Sequence, residues 1–344
     1  MKTRQSNLEL LRILSMCGII FVHYVGSEFG GAVIDGTFPN FSWFFVHFFN
    51  SFFVPLVNCF VLISGYFMVK RQTFSMKKPS SILIICAFYG LVSYVIALLA
   101  GVEPHAGGIL YALFPYFWGN RWFVETYVML LLLAPFLNKL LNALTSEQYR
   151  LLLKIQLSVF CFWYSFGLSA PILDDGYGII NFLTLYMLGA YIQLWGARSK
   201  WLNLHKSYYG LIFVCCALLT FALSYFINPY GYAFITNIVG SLAAFLFFLK
   251  WDIGHRERIN QISAATFDVY FVHSDFNTSR LLIFQLLGAK YVADTPWMIP
   301  HVVFVIFTMW LLGFAAHRLR EMLFSVSVDR WLNKVRWIAE SREI

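Results

Sequence analysis

Long apolar stretches separated by short polar ones run along almost the whole chain. Windows of roughly 20 mostly apolar residues, the length a helix needs to cross a bilayer, fall at 8–26, 42–68, 79–101, 122–142, 151–169, 179–196, 208–227, 234–250, 263–287 and 297–316. The second is long and contains Pro55, which predicts a kink or a tilt. The ninth is interrupted by His273, Asp275, Asn277 and Arg280. The pattern predicts an all-α, polytopic membrane bundle of about ten transmembrane helices, forming one domain over 1–316. The segment 317–344 mixes Arg318, Arg320, Arg330, Lys334 and Arg336 with Leu319, Leu323, Phe324, Trp331 and Trp337. It reads as a basic amphipathic tail lying on the cytoplasmic leaflet.

Composition agrees with the pattern. The 344 residues are 60% hydrophobic and only 12% charged, with a mean hydropathy of +0.68, far from the balance of a soluble domain. Lys and Arg accumulate in short cytoplasmic loops of membrane proteins. With the N-terminus inside, all of the 25 Lys and Arg except Arg121, Arg280 and Lys290 fall on that side, so both termini are expected in the cytoplasm. The net charge of +8 then reports topology and contact with anionic lipid headgroups, not nucleic acid. The six cysteines all lie within expected spans without C-x-x-C or His-flanked spacing, so no metal site is expected. The first span lacks a small-residue cleavage site and is expected to stay as an anchor.

Ionisable groups inside the hydrocarbon are costly and mark function by default. Those singled out are Arg12, His23, His47, Glu125, Asp268, His273 and His301. Eleven residues separate Arg12 from His23, about 20° past three full helical turns with a rise of about 16 Å. The two side chains therefore share one wall, Arg12 near the cytoplasmic surface and His23 beyond mid-bilayer. Asp268 and His273 are five apart and fall on different faces. His47 and His301 read as hydrogen-bonded core histidines, and the outer aromatics Tyr116, Trp118 and Trp122 suit sugar stacking or an interfacial belt equally.

Several segments carry a resemblance. Arg12 and Phe21-Val22-His23 form Arg-x10-His on the first span. Phe60-Val61-Leu62-Ile63-Ser64-Gly65-Tyr66-Phe67 closes the second, Arg121-Trp122-Phe123 opens the fourth, and Tyr270-Phe271-Val272-His273 lies near the end. In this order they resemble the membrane-bound acyltransferase family 3, the O-acetyltransferase type of bacterial envelopes. An Arg-x-x-Arg found after the second span in some members is replaced here by Lys70-Arg71-Gln72-Thr73.

The resemblance implies transfer of an acyl group, most often acetyl from cytoplasmic acetyl-CoA, to a hydroxyl of a glycan or lipid-linked saccharide, by a multi-pass protein of the bacterial inner membrane. His23 is the expected base or acyl carrier, since imidazole titrates near working pH, with Glu125 as a second catalytic candidate. Arg12 is placed for donor phosphates because a guanidinium binds them bidentately, with Lys70, Arg71, Lys77 and Lys78 adding positive field at the same mouth. His273 and Trp122 are candidate acceptor-binding residues. A transporter or flippase of a lipid-linked glycan is the competing class, although its usual pair of broken half-helices is not evident. Single cysteines at positions 105, 174, 230 and 292, placed in a cysteine-free background, should react with an impermeant thiol reagent from outside only. Labelling of position 174 from the cytoplasm would overturn the topology.

Overall fold

A computed structural model of the chain describes residues 4–26, 40–101, 107–114, 121–167, 174–274, 280–335, 338, 340 and 342–343. Tyr116, Trp118, Asp275 and Asn277 lie outside the described residues. Fourteen α-helices are described. They are α1 (Ser6–Val25), α2 (Phe41–Met68), α3 (Lys77–Leu99), α4 (Gly108–Leu113), α5 (Trp122–Ala143), α6 (Ser146–Leu157), α7 (Trp163–Ser165), α8 (Ile179–Trp195), α9 (Lys206–Leu223), α10 (Ile235–Lys250), α11 (Glu257–Ala264), α12 (Thr266–Ser274), α13 (Ala289–Val292) and α14 (Met298–Lys334). Two short strands, β1 (Thr73–Phe74) and β2 (Arg342–Glu343), pair antiparallel and tie the C-terminal segment to the loop after α2.

Among the described residues, seven helices are long and apolar enough to cross a membrane: α1, α2, α3, α5, α8 extended by a turn to Arg198, α9, and α14 as far as Leu323. An eighth, α10, is apolar but shorter, at 16 residues. The protein is a multi-pass membrane protein, and α2, at 28 residues, is about 42 Å long and must tilt to fit a core of roughly 30 Å.

The other two expected spans are assembled from pieces. The fifth, expected over 151–169, is opened by α6, which starts earlier at a capping box where Thr145 and Gln148 exchange side-chain and backbone hydrogen bonds. That helix carries Glu147, Arg150 and Lys154, and at Ser158–Phe162 it widens into a π-helical turn before α7. The ninth breaks at Ala265, between α11 and α12, and resumes as a π-helical segment at Arg280–Leu286. The last helix passes without interruption through 316 and 317 to Lys334. Leu332 in its last turn and Ile338 beyond it are buried, and Lys77 Nζ donates to Asn333 Oδ1 at 2.8 Å.

Between helices in lipid, close backbone approach and side-chain hydrogen bonds replace the hydrophobic drive available in water. Both devices join α2 to α8. A Cβ added at Gly65 would sit 2.0 Å from the Tyr186 carbonyl oxygen, and one at Gly189 would sit 2.1 Å from that of Leu62. Each glycine thus admits the other helix's backbone. Carbonyls at and just beyond the C-terminus of a helix lack intrahelical partners, and those after α2 find side-chain donors. Asn138 of α5 donates to the carbonyls of Met68 at 2.8 Å and Arg71 at 2.6 Å, Asn142 donates to that of Val69 at 2.8 Å, and Tyr186 donates to Asn138 Oδ1 at 2.8 Å. The two histidines read as core are likewise bonded: His47 Nδ1 lies 2.9 Å from the Tyr230 hydroxyl, and His301 bridges the Tyr24 hydroxyl and the Leu287 carbonyl at 2.9 and 2.8 Å.

Because the α2–α8 contact is backbone against backbone, nothing flexible can yield. Gly65→Ala and Gly189→Ala should each destabilise the bundle by about 1–3 kcal/mol, read as lowered thermal unfolding temperatures in detergent. Wild-type unfolding of both variants would refute the close crossing.

Candidate functional site

Glu9, Arg12, Met16, Ile19 and His23 recur at intervals of three and four, so they form one stripe of α1. With Val22 they make one wall of a cavity of about 310 Å³. The facing walls come from Val57, Phe60 and Ser64 of α2, Lys78 and Ile82 of α3, Trp122, Phe123 and Tyr127 of α5, Tyr232, and the α11–α12 segment including Ser263, Thr266, Phe267 and Tyr270. Arg12 and His23 thus open onto one space, the guanidinium where α1 begins and the imidazole about 16 Å further along the helix. A larger cleft of about 740 Å³ around Asn7, Gln193 and Lys250 shares Arg4 with this cavity but includes neither Arg12 nor His23.

Where α1 begins, the cavity is polar and ordered. Arg12 Nη1 donates to both oxygens of Glu9, at 2.9 and 3.1 Å. Glu9 also accepts from the Ser263 hydroxyl, so α1 is fastened to α11 through a carboxylate. Arg4 Nη1 donates to the Asn260 carbonyl at 3.0 Å, and the Ser6 hydroxyl donates to Asn260 Oδ1 at 3.0 Å. Across the cavity the Tyr127 and Ser64 hydroxyls lie 3.0 Å apart, and the Lys78 ammonium stands 5.7 Å from the centre of the Tyr127 ring.

At the His23 end the neighbours are aromatic and apolar. The His23 and His273 rings lie 5.1 Å apart, centroid to centroid. His273 is buried, and its Nδ1 bonds to the Val269 carbonyl one turn earlier. A carbonyl only accepts, so that nitrogen carries the proton. Trp122 and Tyr232, which also line the cavity, stack at 5.3 Å, and Trp122 meets Tyr177 edge-on at 4.6 Å.

The remaining expected site residues fall elsewhere. Glu125 accepts from the backbone N–H of Arg121 at 3.3 Å, which satisfies a donor at the start of α5, and it is not among the cavity-lining residues. Lys70 and Arg71 are exposed, past the end of α2, and do not line the cavity; Lys78 does. His273 stands behind His23 and does not line it. Arg121 is 1% exposed, with its guanidinium 5.0 Å from the centre of the Phe271 ring. Sequence reasoning passed over Glu9, although an acid three residues before an arginine inside an apolar span is a pairing signal. Tyr127, Ser263 and Tyr232 carry no such signal.

A second polar node holds α12 from the side away from the cavity. Asp268, 2% exposed, accepts from Arg320 Nε and Nη2, from the Tyr89 hydroxyl at 2.8 Å, and lies 2.8 Å from His317 Nδ1. The helix presenting His273 is thereby tied to α14 and α3.

Fold and cavity define a class: a multi-pass helical membrane protein whose interior space runs along one helix from an arginine to a histidine. The family described as an acyltransferase domain, acyltransferase family 3, matches residues 5–319, and the chain belongs to that family. No curated protein and no solved structure matches it.

Asp268→Asn removes the charge on which Arg320, His317 and Tyr89 converge. Breaking a buried pair by neutralising one partner costs about 3–5 kcal/mol, so the variant should unfold at a clearly lower temperature in detergent. A wild-type unfolding temperature would show that the node does not hold α12.

Proposed function

We propose that the protein transfers an acetyl group from cytoplasmic acetyl-CoA to a hydroxyl of a glycan or lipid-linked saccharide in the bacterial inner membrane, with both termini in the cytoplasm. The observation that carries this reading is the shared cavity of Arg12 and His23 in a chain of the acyltransferase 3 family. In this reading the phosphates of the donor stay where α1 begins, against Arg12, Arg4 and Lys78, and the acyl arm extends along the α1 stripe toward His23. Guanidinium offers phosphate two parallel hydrogen bonds. The apolar walls beyond it suit an uncharged arm and exclude water that would hydrolyse the thioester.

The acceptor hydroxyl oxygen attacks the thioester carbonyl carbon, the C–S bond breaks, and the hydroxyl proton passes through the His23 imidazole to the leaving thiolate. The products are an ester and the free thiol of CoA. If His23 instead carries the acyl group, the same atoms balance over two steps, with N-acyl-imidazole between them. The ring pair Trp122 and Tyr232 is the proposed contact for the sugar, since pyranose C–H faces pack on aromatic planes while the Tyr232 hydroxyl supplies a hydrogen-bonding edge. His273 supports His23 from behind in this reading. Glu125, Lys70 and Arg71 do not line the cavity, and no direct part is proposed for them.

His23→Ala should lower ester transfer at least ~10²-fold, the scale of a lost general base, while expression and unfolding temperature stay near wild type. The measurement is the ester content of the surface glycan in a deletion strain complemented with each variant. Near-normal esterification by His23→Ala would end the assignment.

A further inference from the structure

A carboxylate is out of place in a cavity meant for a polyphosphate, because Coulomb's law alone makes it repel the ligand. Glu9 nevertheless lines the same space as Arg4, Arg12 and Lys78, and is 5% exposed. Its geometry offers a reason. Both carboxylate oxygens engage a single nitrogen of Arg12, Nη1, and the Ser263 hydroxyl fixes the carboxylate from the α11 side. A guanidinium is a rigid plane with five N–H donors. Held at Nη1, it turns the edge formed by Nε and Nη2 away from Glu9, and that edge is the one that binds a phosphate with two parallel bonds. The Arg12 side chain keeps 31% of its exposure while that of Glu9 keeps 7%, so the anchor is buried and the anchored group is accessible.

We propose that Glu9 is a positioning residue for the donor: clamped by Ser263, it sets the orientation in which Arg12 receives a phosphate of acyl-CoA. This inference rests on the acyl-CoA reading of the cavity and adds to it a residue that does not itself touch the donor. Orientation works against the repulsion, because a flexible arginine would have to lose its rotamer freedom on binding and would lose the bidentate geometry as well.

The sign of one substitution separates this role from that of a simple counter-ion. Glu9→Gln removes the negative charge and nearly nothing else in volume. If Glu9 only neutralised Arg12, the variant would bind a polyanion more tightly than wild type. If Glu9 positions Arg12, it binds more weakly, by about tenfold, the worth of one charge-assisted hydrogen bond. Ser263→Ala leaves every charge in place and should weaken binding about threefold through the loosened carboxylate, on the scale of a neutral hydrogen bond. In a double variant Arg12→Lys with Glu9→Gln, the second change should add no loss, since an ammonium has no edge to orient.

The experiment is titration of purified protein in lipid nanodiscs with acetyl-CoA, alongside thermal unfolding of each variant. Wild-type protein that fails to bind acetyl-CoA overturns the donor reading and this inference with it. Wild-type binding together with a Glu9→Gln variant that binds as tightly or more tightly overturns the inference alone, as do losses that add in the double variant. Should Glu9→Gln fail to fold, Ser263→Ala decides: unchanged affinity at an unchanged unfolding temperature overturns the positioning role.

Discussion

Within a bilayer no water is available to complete a hydrogen bond, so every buried polar group has to be answered from inside the protein. Much of the arrangement here follows from that constraint. Asn138 and Asn142 take up the last carbonyls of α2, Asn58 donates to the Tyr232 carbonyl at 3.0 Å, and the Thr220 and Thr236 hydroxyls meet at 2.6 Å between α9 and α10. These bonds hold α5 against α2, and α9 against α10. They leave the stripe of α1 that faces the cavity as the place where polar groups gather without being consumed by packing.

Charge is handled by two acid-centred nodes on either side of the break at Ala265. Glu9 holds Arg12 and Ser263 on the cavity side, and Asp268 holds Arg320, His317 and Tyr89 on the other. The short helices α11 and α12, which are too brief to be stable alone in the usual sense, are thus pinned at both ends of their junction. The position of His273 beside His23 is a consequence of that pinning. A broken helix at membrane depth is tolerated where it is buried in protein, and the interruption that makes this span a poor transmembrane helix is what supplies the ionisable groups.

The cavity is divided by chemistry in a way that suits the proposed reaction. Arg4, Arg12 and Lys78 gather where α1 begins, and about 16 Å of helix separates Arg12 from the His23 imidazole. Neither end does the other's work. Trp122 and Tyr232 line the same space as His23, and Tyr177 packs against both rings from outside the lining.

Hydropathy alone identified the membrane class and the positions of the long spans, because burial in lipid demands roughly 20 apolar residues whatever the neighbours are. Helical periodicity alone placed Arg12 and His23 on one wall, since both lie on a single regular helix and angle follows from residue number. The motif around them was enough for the family. What the sequence could not express is which helix a given face meets. Lys70, Arg71 and Lys78 are equivalent as basic residues near the same loop, yet only Lys78 reaches the cavity, because α3 begins there and turns it inward. Glu125 is a buried acid by sequence and a helix-end acceptor by structure. Glu9 and Ser263, 254 residues apart, become partners only when α11 docks on α1. Periodicity fixes a direction around one axis, and contact requires two axes to be placed, which only the packing of the whole bundle decides.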